Sequence, residues 1–295
     1  MDDTKYETIP CTEEDEEFIE EKLVEIDDSI VPPAEDIEEE DFVFKVIDEE
    51  GNTVGGCVLE IDGWKFADLD ILWIDEAHRR KGLGSALIRQ AEKTAREKGC
   101  DLMILGTFDF QARPLYEKHG FTVKGTIRDW PRGHENYFLT KRLDQPWEEY
   151  IPSNDLSTDY KIELGTEEDE RFIGNGLRDY NTSQAHREHK YISLNKKIID
   201  EEGNLIAAIF AGVESWNALE VDMLWVEEPY RNQGIGSWLL METEREAKEQ
   251  GAYCALLNAF DWQAGLFRKH GYTECFALED FPAEGHYSYE MEKRF

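Results

Sequence analysis

The chain has 295 residues, 40% hydrophobic and 12% aromatic, with 66 acidic against 32 basic side chains and a formal net charge of −34. That is globular material, long enough for two domains. Both halves are acidic, which argues against a nucleic-acid or anionic-membrane surface and leaves solubility, a salt-rich cytoplasm or a cleft that draws in a cationic amine. No apolar stretch reaches the roughly 18 residues a bilayer span needs. Five cysteines, odd in number and without a Cys-x-x-Cys pair, fit reduced thiols in a cytoplasm. The Met1-Asp2-Asp3-Thr4 start has no signal-peptide pattern.

In chain order, the first expected element is a helix capped by Thr12 ahead of Glu13, Glu14 and Asp15, with Phe18, Ile19 and Leu23 at helical spacing. A proline- and acid-rich loop, 31–41, follows. Residues 42–47 and 53–61 read as strands joined at Asp48-Glu49-Glu50-Gly51-Asn52, where Gly supplies a positive φ and Asn tolerates one. Asp68 and Asp70 lie on the next strand, which ends in Leu72-Trp73-Ile74. The turn Arg79-Arg80-Lys81-Gly82-Leu83-Gly84-Ser85 then opens a helix with Leu87, Ile88, Ala91 and Ala95 on one face, stopped by Gly99. Residues 102–105 read as a buried strand, 108–112 lead into a short helix ending at Gly120-Phe121, and a last strand ends in Lys141-Arg142-Leu143.

The same order then returns. Thr166 opens a helix with Phe172, Ile173 and Leu177; Asp200 to Asn204 repeats the hairpin turn; Glu220 and Asp222 match Asp68 and Asp70. Leu224-Trp225-Val226 precedes Arg231-Asn232-Gln233-Gly234-Ile235-Gly236-Ser237, and Phe260-Asp261-Trp262-Gln263-Ala264 matches 108–112. Residues 144–159, with Pro146, Pro152, Ser153 and Asn154, suit a linker. The expected organisation is two tandem units, 1–143 and 160–295, diverging most in 27–41 and 181–191.

Each turn offers bare backbone N–H groups and a helix N-terminus to an anion. With its flanking strand and the later Ala-x-x-x-Tyr-x-x-x-Gly-Phe spacing, seen in Ala112, Tyr116, Gly120 and Phe121, the pattern resembles the GCN5-related N-acetyltransferases (GNAT) over nearly the whole chain, twice. The resemblance implies a mixed α/β fold in each unit, a largely antiparallel sheet of six or seven strands with helices on both faces. It implies acetyl-CoA as co-substrate, its pyrophosphate held at Arg79, Arg80, Lys81, Gly82, Leu83, Gly84 and Ser85 and again at Arg231, Asn232, Gln233, Gly234, Ile235, Gly236 and Ser237. The pantetheine arm would run along the main chain of Leu72 and Ile74, and of Leu224 and Val226.

For chemistry, the resemblance makes Tyr116 the proton donor to the departing thiolate, a phenol of pKa about 10; the alternative is a packing aromatic. Asp68 and Asp70, two apart on a strand, would share a face, raise each other's pKa and take the amine's proton, or else be solvated edge charge or substrate-binding groups. In the second copy Phe267 stands where Tyr116 stands, so that unit uses another donor, such as Tyr272 or water, or performs no chemistry. His186 and His189 could reach a metal on a helix but have no third ligand nearby, so a surface loop is expected and no metal site. His134 and His286 lie in matched loops on the acceptor side and either touch substrate or cap the last strand. The reading is a cytoplasmic N-acetyltransferase for a small cationic primary amine, monomeric with an internal pseudo-dimer or homodimeric. The alternatives are a non-catalytic acyl-CoA-binding or regulatory protein and a protein lysine or N-terminal acetyltransferase.

Overall fold

The computed structural model describes residues 7–35, 37–145 and 159–295, so most of the expected linker, 146–158, lies outside the described residues. The first half contains β1 (Ile9–Pro10), α1 (Glu13–Ile30), β2 (Glu40–Ile47), β3 (Thr53–Asp62), β4 (Phe66–Ile74), α2 (Leu83–Glu97), β5 (Leu102–Phe108), α3 (Arg113–Lys118), β6 (Thr122–Arg128) and β7 (Glu135–Arg142). The second contains β8 (Lys161–Leu164), α4 (Glu167–Gln184), β9 (Ile192–Ser193), β10 (Lys196–Ile199), β11 (Leu205–Val213), β12 (Ala218–Val226), α5 (Ile235–Glu249), β13 (Cys254–Phe260), α6 (Ala264–Lys269), β14 (Thr273–Glu279) and β15 (Tyr287–Arg294). A short 3-10 turn precedes each glycine turn, at Glu76–His78 and Glu228–Tyr230.

Packing regroups the chain relative to the tandem division 1–143 and 160–295. One compact unit, here the first-sheet unit, comprises Pro33–Asp129 and Gly133–His186. The second-sheet unit comprises residues up to Pro32, Trp130–Arg132 and Arg187–Phe295. The long helix of each repeat thus belongs with the sheet of the other. The two helices open alike and have matching caps: Thr12 accepts from the Asp15 amide while Asp15 accepts from the Thr12 amide, and Thr166 and Asp169 do the same. Such a cap is worth about 1 kcal/mol to its helix but says nothing about which sheet the helix covers. Long-range pairs decide that. In the first-sheet unit Lys45 reaches Asp169 at 2.9 Å, and Phe172 meets the Trp73 ring edge-on. In the second-sheet unit Lys197 reaches Asp15 at 2.5 Å, and Phe18 meets Trp225.

The first sheet has seven strands in the order β6-β7-β5-β4-β3-β2-β8, and the second has eight, β1-β10-β11-β12-β13-β15-β14 with β9 also pairing β11. The second counts eight because the counterpart of β2 is broken into β9 and β10, both paired with β11. All pairs are antiparallel except β4 with β5 and β12 with β13. The apolar stripe of α2 (Leu83, Leu87, Ile88, Ala91 and Ala95) is buried with Ala67, Leu69 and Leu105 in one core. A second core gathers Leu239, Leu240 and Ala247 of α5 with Leu219, Val221 and Leu257. The hairpin turns form as expected at Gly51 (φ +85°) and Gly203 (φ +86°). Asn52 and Asn204 serve differently, by donating their backbone N–H groups to Asp48 and Asp200.

Candidate active site

In the first-sheet unit the parallel pairing of β4 and β5 covers only Phe66–Asp68 against Leu102–Ile104. Beyond it β4 stays on β3 as far as Ile74, and β5 stays on β7 as far as Phe108. The strands part, and the β5-facing edge of β4 past Asp68 offers main-chain donors and acceptors to an extended ligand. A bulge accompanies the parting: Val58 pairs with Ile71 but Glu60 with Asp68, so Leu69 and Asp70 together oppose Leu59. The extra residue switches faces. Ala67 and Leu69 before it, and Leu72 and Ile74 after it, all join the α2-side core, while Trp73 turns to α4. The same geometry recurs where β12 and β13 pair only over Ala218–Glu220, with a bulge opposite Phe210 and Ala211. There Leu224 and Val226 pack against the second core.

At the end of β4 the chain turns through Arg80 (φ +61°) and Gly82 (φ +83°) into α2, and no side chain caps that helix. A Cβ on Gly84 would lie 3.1 Å from Leu115 and 3.8 Å from Leu72, so glycine keeps this wall low. The first-turn amides are left for an anion, and the fit to a diphosphate is good on both counts. Leu83 and Ser85 are buried beneath the turn. The basic residues are less uniform than expected. Arg79 donates to the Ile74 carbonyl at 2.8 Å and stacks on Tyr180, and Lys81 donates to the Tyr160 hydroxyl at 2.7 Å. Arg80 and Lys81 are both exposed, and of the three only Arg80 has the left-handed turn conformation.

The second turn repeats the backbone with Asn232 (φ +60°) and Gly234 (φ +86°), again without a side-chain cap on α5. A Cβ on Gly236 would meet Val226 at 3.4 Å. Arg231 donates to the Val226 carbonyl, Gln233 to the Pro229 carbonyl, and Ser237 bonds His270 at 2.9 Å. Ile235 is buried.

Tyr116 lies on α3, next to the Leu115 that walls Gly84, and is only 7% exposed. Its ring meets Phe121 edge-on at 6.1 Å, and burial, with the nearby Cys57, pushes the phenol well above its ordinary pKa. It is therefore a core aromatic as well as a phenol, firmly protonated, and a weaker acid than an exposed tyrosine. The second unit exchanges the pair: Phe267 is 8% exposed and meets Tyr272 at 5.8 Å. Tyr272 occupies the place of Phe121, beside the Lys293–Glu244 ion pair. The expected substitute donor is thus buried beside a structural ion pair.

Asp68 stands directly opposite Glu60 across β3 and β4, a placement that repels when both are ionised. Burial first, then Asp70 and Glu60, push Asp68 up to about 8. Asp70 sits more in solvent and is raised too, by partial desolvation and then by Glu170 of α4. Glu60 is raised by desolvation, then Asp70, Asp41 and Glu170. The second-sheet unit has its own set. Glu220 rises to about 7 through desolvation, then Asp222 and Glu214. Asp222 is raised by desolvation, then Glu214 and Glu16. Glu290 rises to about 8 through burial and then Glu220, against a lowering hydrogen bond from Asn258.

Sequence reasoning missed Glu290 and Asn258. The readable signal was the change from Phe138 and Gly106 at the matching strand positions. It also missed Glu170, because the repeat assigns α4 to the other unit. His134 and His286 contact Asp109 and Asp261 at 3.0 and 3.3 Å. His189 bonds Asn217 in a loop after α4, and among the described residues no group of three or more His, Cys, Asp or Glu is placed to hold a metal. No helix among them is long and apolar enough to cross a membrane.

Residues 7–121 match the model of the Acetyltransferase (GNAT) family, and residues 194–274 match that of an acetyltransferase (GNAT) domain. A blasticidin-S acetyltransferase of Streptomyces morookaense is 40% identical over 96 residues, 32% of this chain and 70% of that protein. An acetyltransferase of Agrobacterium fabrum is 30% identical over 104 residues, 35% of this chain and 74% of that protein. A solved acetyltransferase from Bacillus cereus, 35% identical, covers 46% of this chain and 97% of its own, with a TM-score of 0.43.

Proposed function

Since the chain belongs to the GNAT family of acetyltransferases and so uses acetyl-CoA, we propose that its first-sheet unit acetylates a primary amine of a small cationic acceptor. The observation that carries this reading is the set of carboxylates, Asp68, Asp70, Glu60 and Glu170, on the α4 side of the sheet where β4 and β5 part. Acetyl-CoA supplies the activated acetyl group. The α2 amides and Gly82–Gly84 hold its diphosphate, and the open edge of β4 accepts its pantetheine arm.

An ammonium entering among these carboxylates relieves their repulsion and lowers the Asp68 pKa again. Asp68 is then ionised when the acceptor is in place and can take its proton, directly or through water. Tyr116 supplies the proton that the departing thiolate requires. The relative from Streptomyces morookaense makes blasticidin S the first acceptor to try. The test incubates the protein with acetyl-CoA and blasticidin S, spermidine or an aminoglycoside and follows free thiol. Turnover should appear with at least one, and Tyr116→Phe should lower kcat about 100-fold or more while acetyl-CoA affinity stays within about twofold. Acetyl-CoA bound tightly with no thiol release from any amine would refute the reading.

A second reading concerns the second-sheet unit. Phe267 in place of a phenol favours a unit that binds a CoA thioester without turning it over, as a sensor or support. Calorimetry should then count two sites per chain, with the Tyr116→Phe protein inactive at both.

A further inference from the structure

The lips of the β4/β5 cleft are joined at one end only, by the three residues Phe66–Asp68 against Leu102–Ile104. From Asp68 to Ile74 the strand runs about 20 Å at 3.3 Å per residue. A small rotation about the joined end therefore becomes a large change of width at the mouth. The last turns of α4 reach both lips there. On the β4 side, Arg79 donates to the Ile74 carbonyl at 2.8 Å and lays its guanidinium 4.8 Å from the centre of the Tyr180 ring. On the β5 side, the Tyr180 hydroxyl donates to the Phe110 carbonyl at 2.7 Å. Beside it Asn181, itself buried, accepts from Gln111 Nε2 at 2.8 Å. Gln111 Oε1 in turn accepts from the Phe108 amide at 2.8 Å and from Thr107 at 3.0 Å. One continuous chain of contacts thus runs from the end of β4, through α4, to the turn that leads into α3.

The second-sheet unit lacks half of this tie. The matching residues of α1 are Ile26 and Asp27. Ile26 has no hydroxyl to offer. Asp27 keeps the acceptor role, toward Trp262 at 2.8 Å and Gln263 at 3.3 Å. Arg231 still holds the Val226 carbonyl, as Arg79 holds that of Ile74.

We propose that Tyr180 and Asn181 are positioning residues for acetyl transfer in the first-sheet unit: they tie the two lips of the cleft together and set its width where the thioester lies. The proposal rests on the reading of this cleft as the acetyl-CoA site. It assigns to first-unit catalysis two residues that the tandem repeat places in the second copy. Neither touches the reacting atoms. Their effect is on geometry, where a displacement near 1 Å can lower a rate about 100-fold.

The test uses the full chain and four proteins: wild type, Tyr180→Phe, Asn181→Leu and Asn181→Asp. Thiol release from acetyl-CoA is measured with the best panel amine, or at the basal level with water, and acetyl-CoA affinity by calorimetry. Tyr180→Phe keeps the ring for Arg79 and removes only the hydroxyl, so it should fold. Tyr180→Phe and Asn181→Leu should each lose about tenfold or more in kcat with acetyl-CoA Kd within about threefold, as expected for misplacement rather than lost binding. Asn181→Asp retains an acceptor for Gln111, as Asp27 does for Gln263, and should stay within about threefold of wild type. Wild-type kcat in Tyr180→Phe, or an Asn181→Asp protein as impaired as Asn181→Leu, would overturn the proposal. So would kcat and affinity falling together with the melting temperature. The reading of the cleft fails differently, through a Gly84→Val protein that binds acetyl-CoA as wild type does.

Discussion

The carboxylate set makes a prediction about pH that separates an Asp68 base from ordinary edge charge. With its pKa pushed up to about 8, Asp68 is about one-tenth ionised at pH 7 and about nine-tenths at pH 9. If the ionised form is the base, kcat/KM rises about tenfold between those pH values and levels off above them. The shift has two removable causes after burial, Asp70 and Glu60. Asp70→Asn deletes a neighbouring negative charge, so the Asp68 pKa falls and the whole profile moves toward acid. Asp68→Asn should abolish this limb and most of the rate. The assay is thiol release under subsaturating acceptor, run with two amines of different basicity so that the acceptor's own ionisation is recognised. A limb whose midpoint follows the amine, and stays put in Asp70→Asn, would refute the reasoning. Stability gives an independent check with a definite sign. A carboxyl raised from 3.8 binds its proton more tightly in the folded chain, so its stabilising contribution is full at low pH and disappears as pH rises through about 8. Asp68→Asn should accordingly melt higher than wild type at pH 9, with the gap closing at pH 5.

Three further outcomes follow from local geometry. Gly84→Val places methyl groups against Leu115, whose Cδ2 is already 3.1 Å from a Cβ there; it should lower stability by the roughly 1–3 kcal/mol that overpacking typically costs and, by displacing the turn, weaken acetyl-CoA binding about tenfold or more in calorimetry. Glu92→Gln takes away the carboxylate 2.7 Å from Lys141, itself 5% exposed, and so breaks a buried ion pair. A loss of about 3–5 kcal/mol in chemical denaturation is expected. Gly176→Val sets a side chain within 2.5 Å of the Trp73 ring and should push α4 off β4, lowering the melting temperature and raising the acceptor KM.

The two glycine turns could be read from sequence because their requirement is local. A positive φ at Gly82 and Gly234, and a missing Cβ at Gly84, need nothing but neighbouring backbone and one facing side chain. The helix caps at Thr12 and Thr166 were legible for the same reason. Tyr116 was legible as a residue type at a spacing, but its burial and raised pKa depend on what packs around it, which no spacing records. Arg79 and Lys81 look like free cations in sequence. Their occupation by the Ile74 carbonyl and by the Tyr160 hydroxyl needs the turn to be folded and Tyr160 to arrive from far along the chain. The β4 bulge is hidden for another reason: Leu69 and Asp70 keep a strand-like alternation, and only the register against Leu59 reveals the extra residue.

The sequence by itself determined the duplicated architecture, the order of elements, the glycine turns and the absence of a phenol at position 267, because periodicity, glycine conformation and residue identity act over a few neighbours. Tertiary structure alone decided which long helix covers which sheet. The two helices share their caps and first turns, which are locally equivalent, so the choice falls to distant partners such as Lys45 with Asp169 and Lys197 with Asp15. With that choice came Glu170, Tyr180 and Asn181 at the first cleft, and a carboxylate at position 68 whose proton affinity is a property of its surroundings.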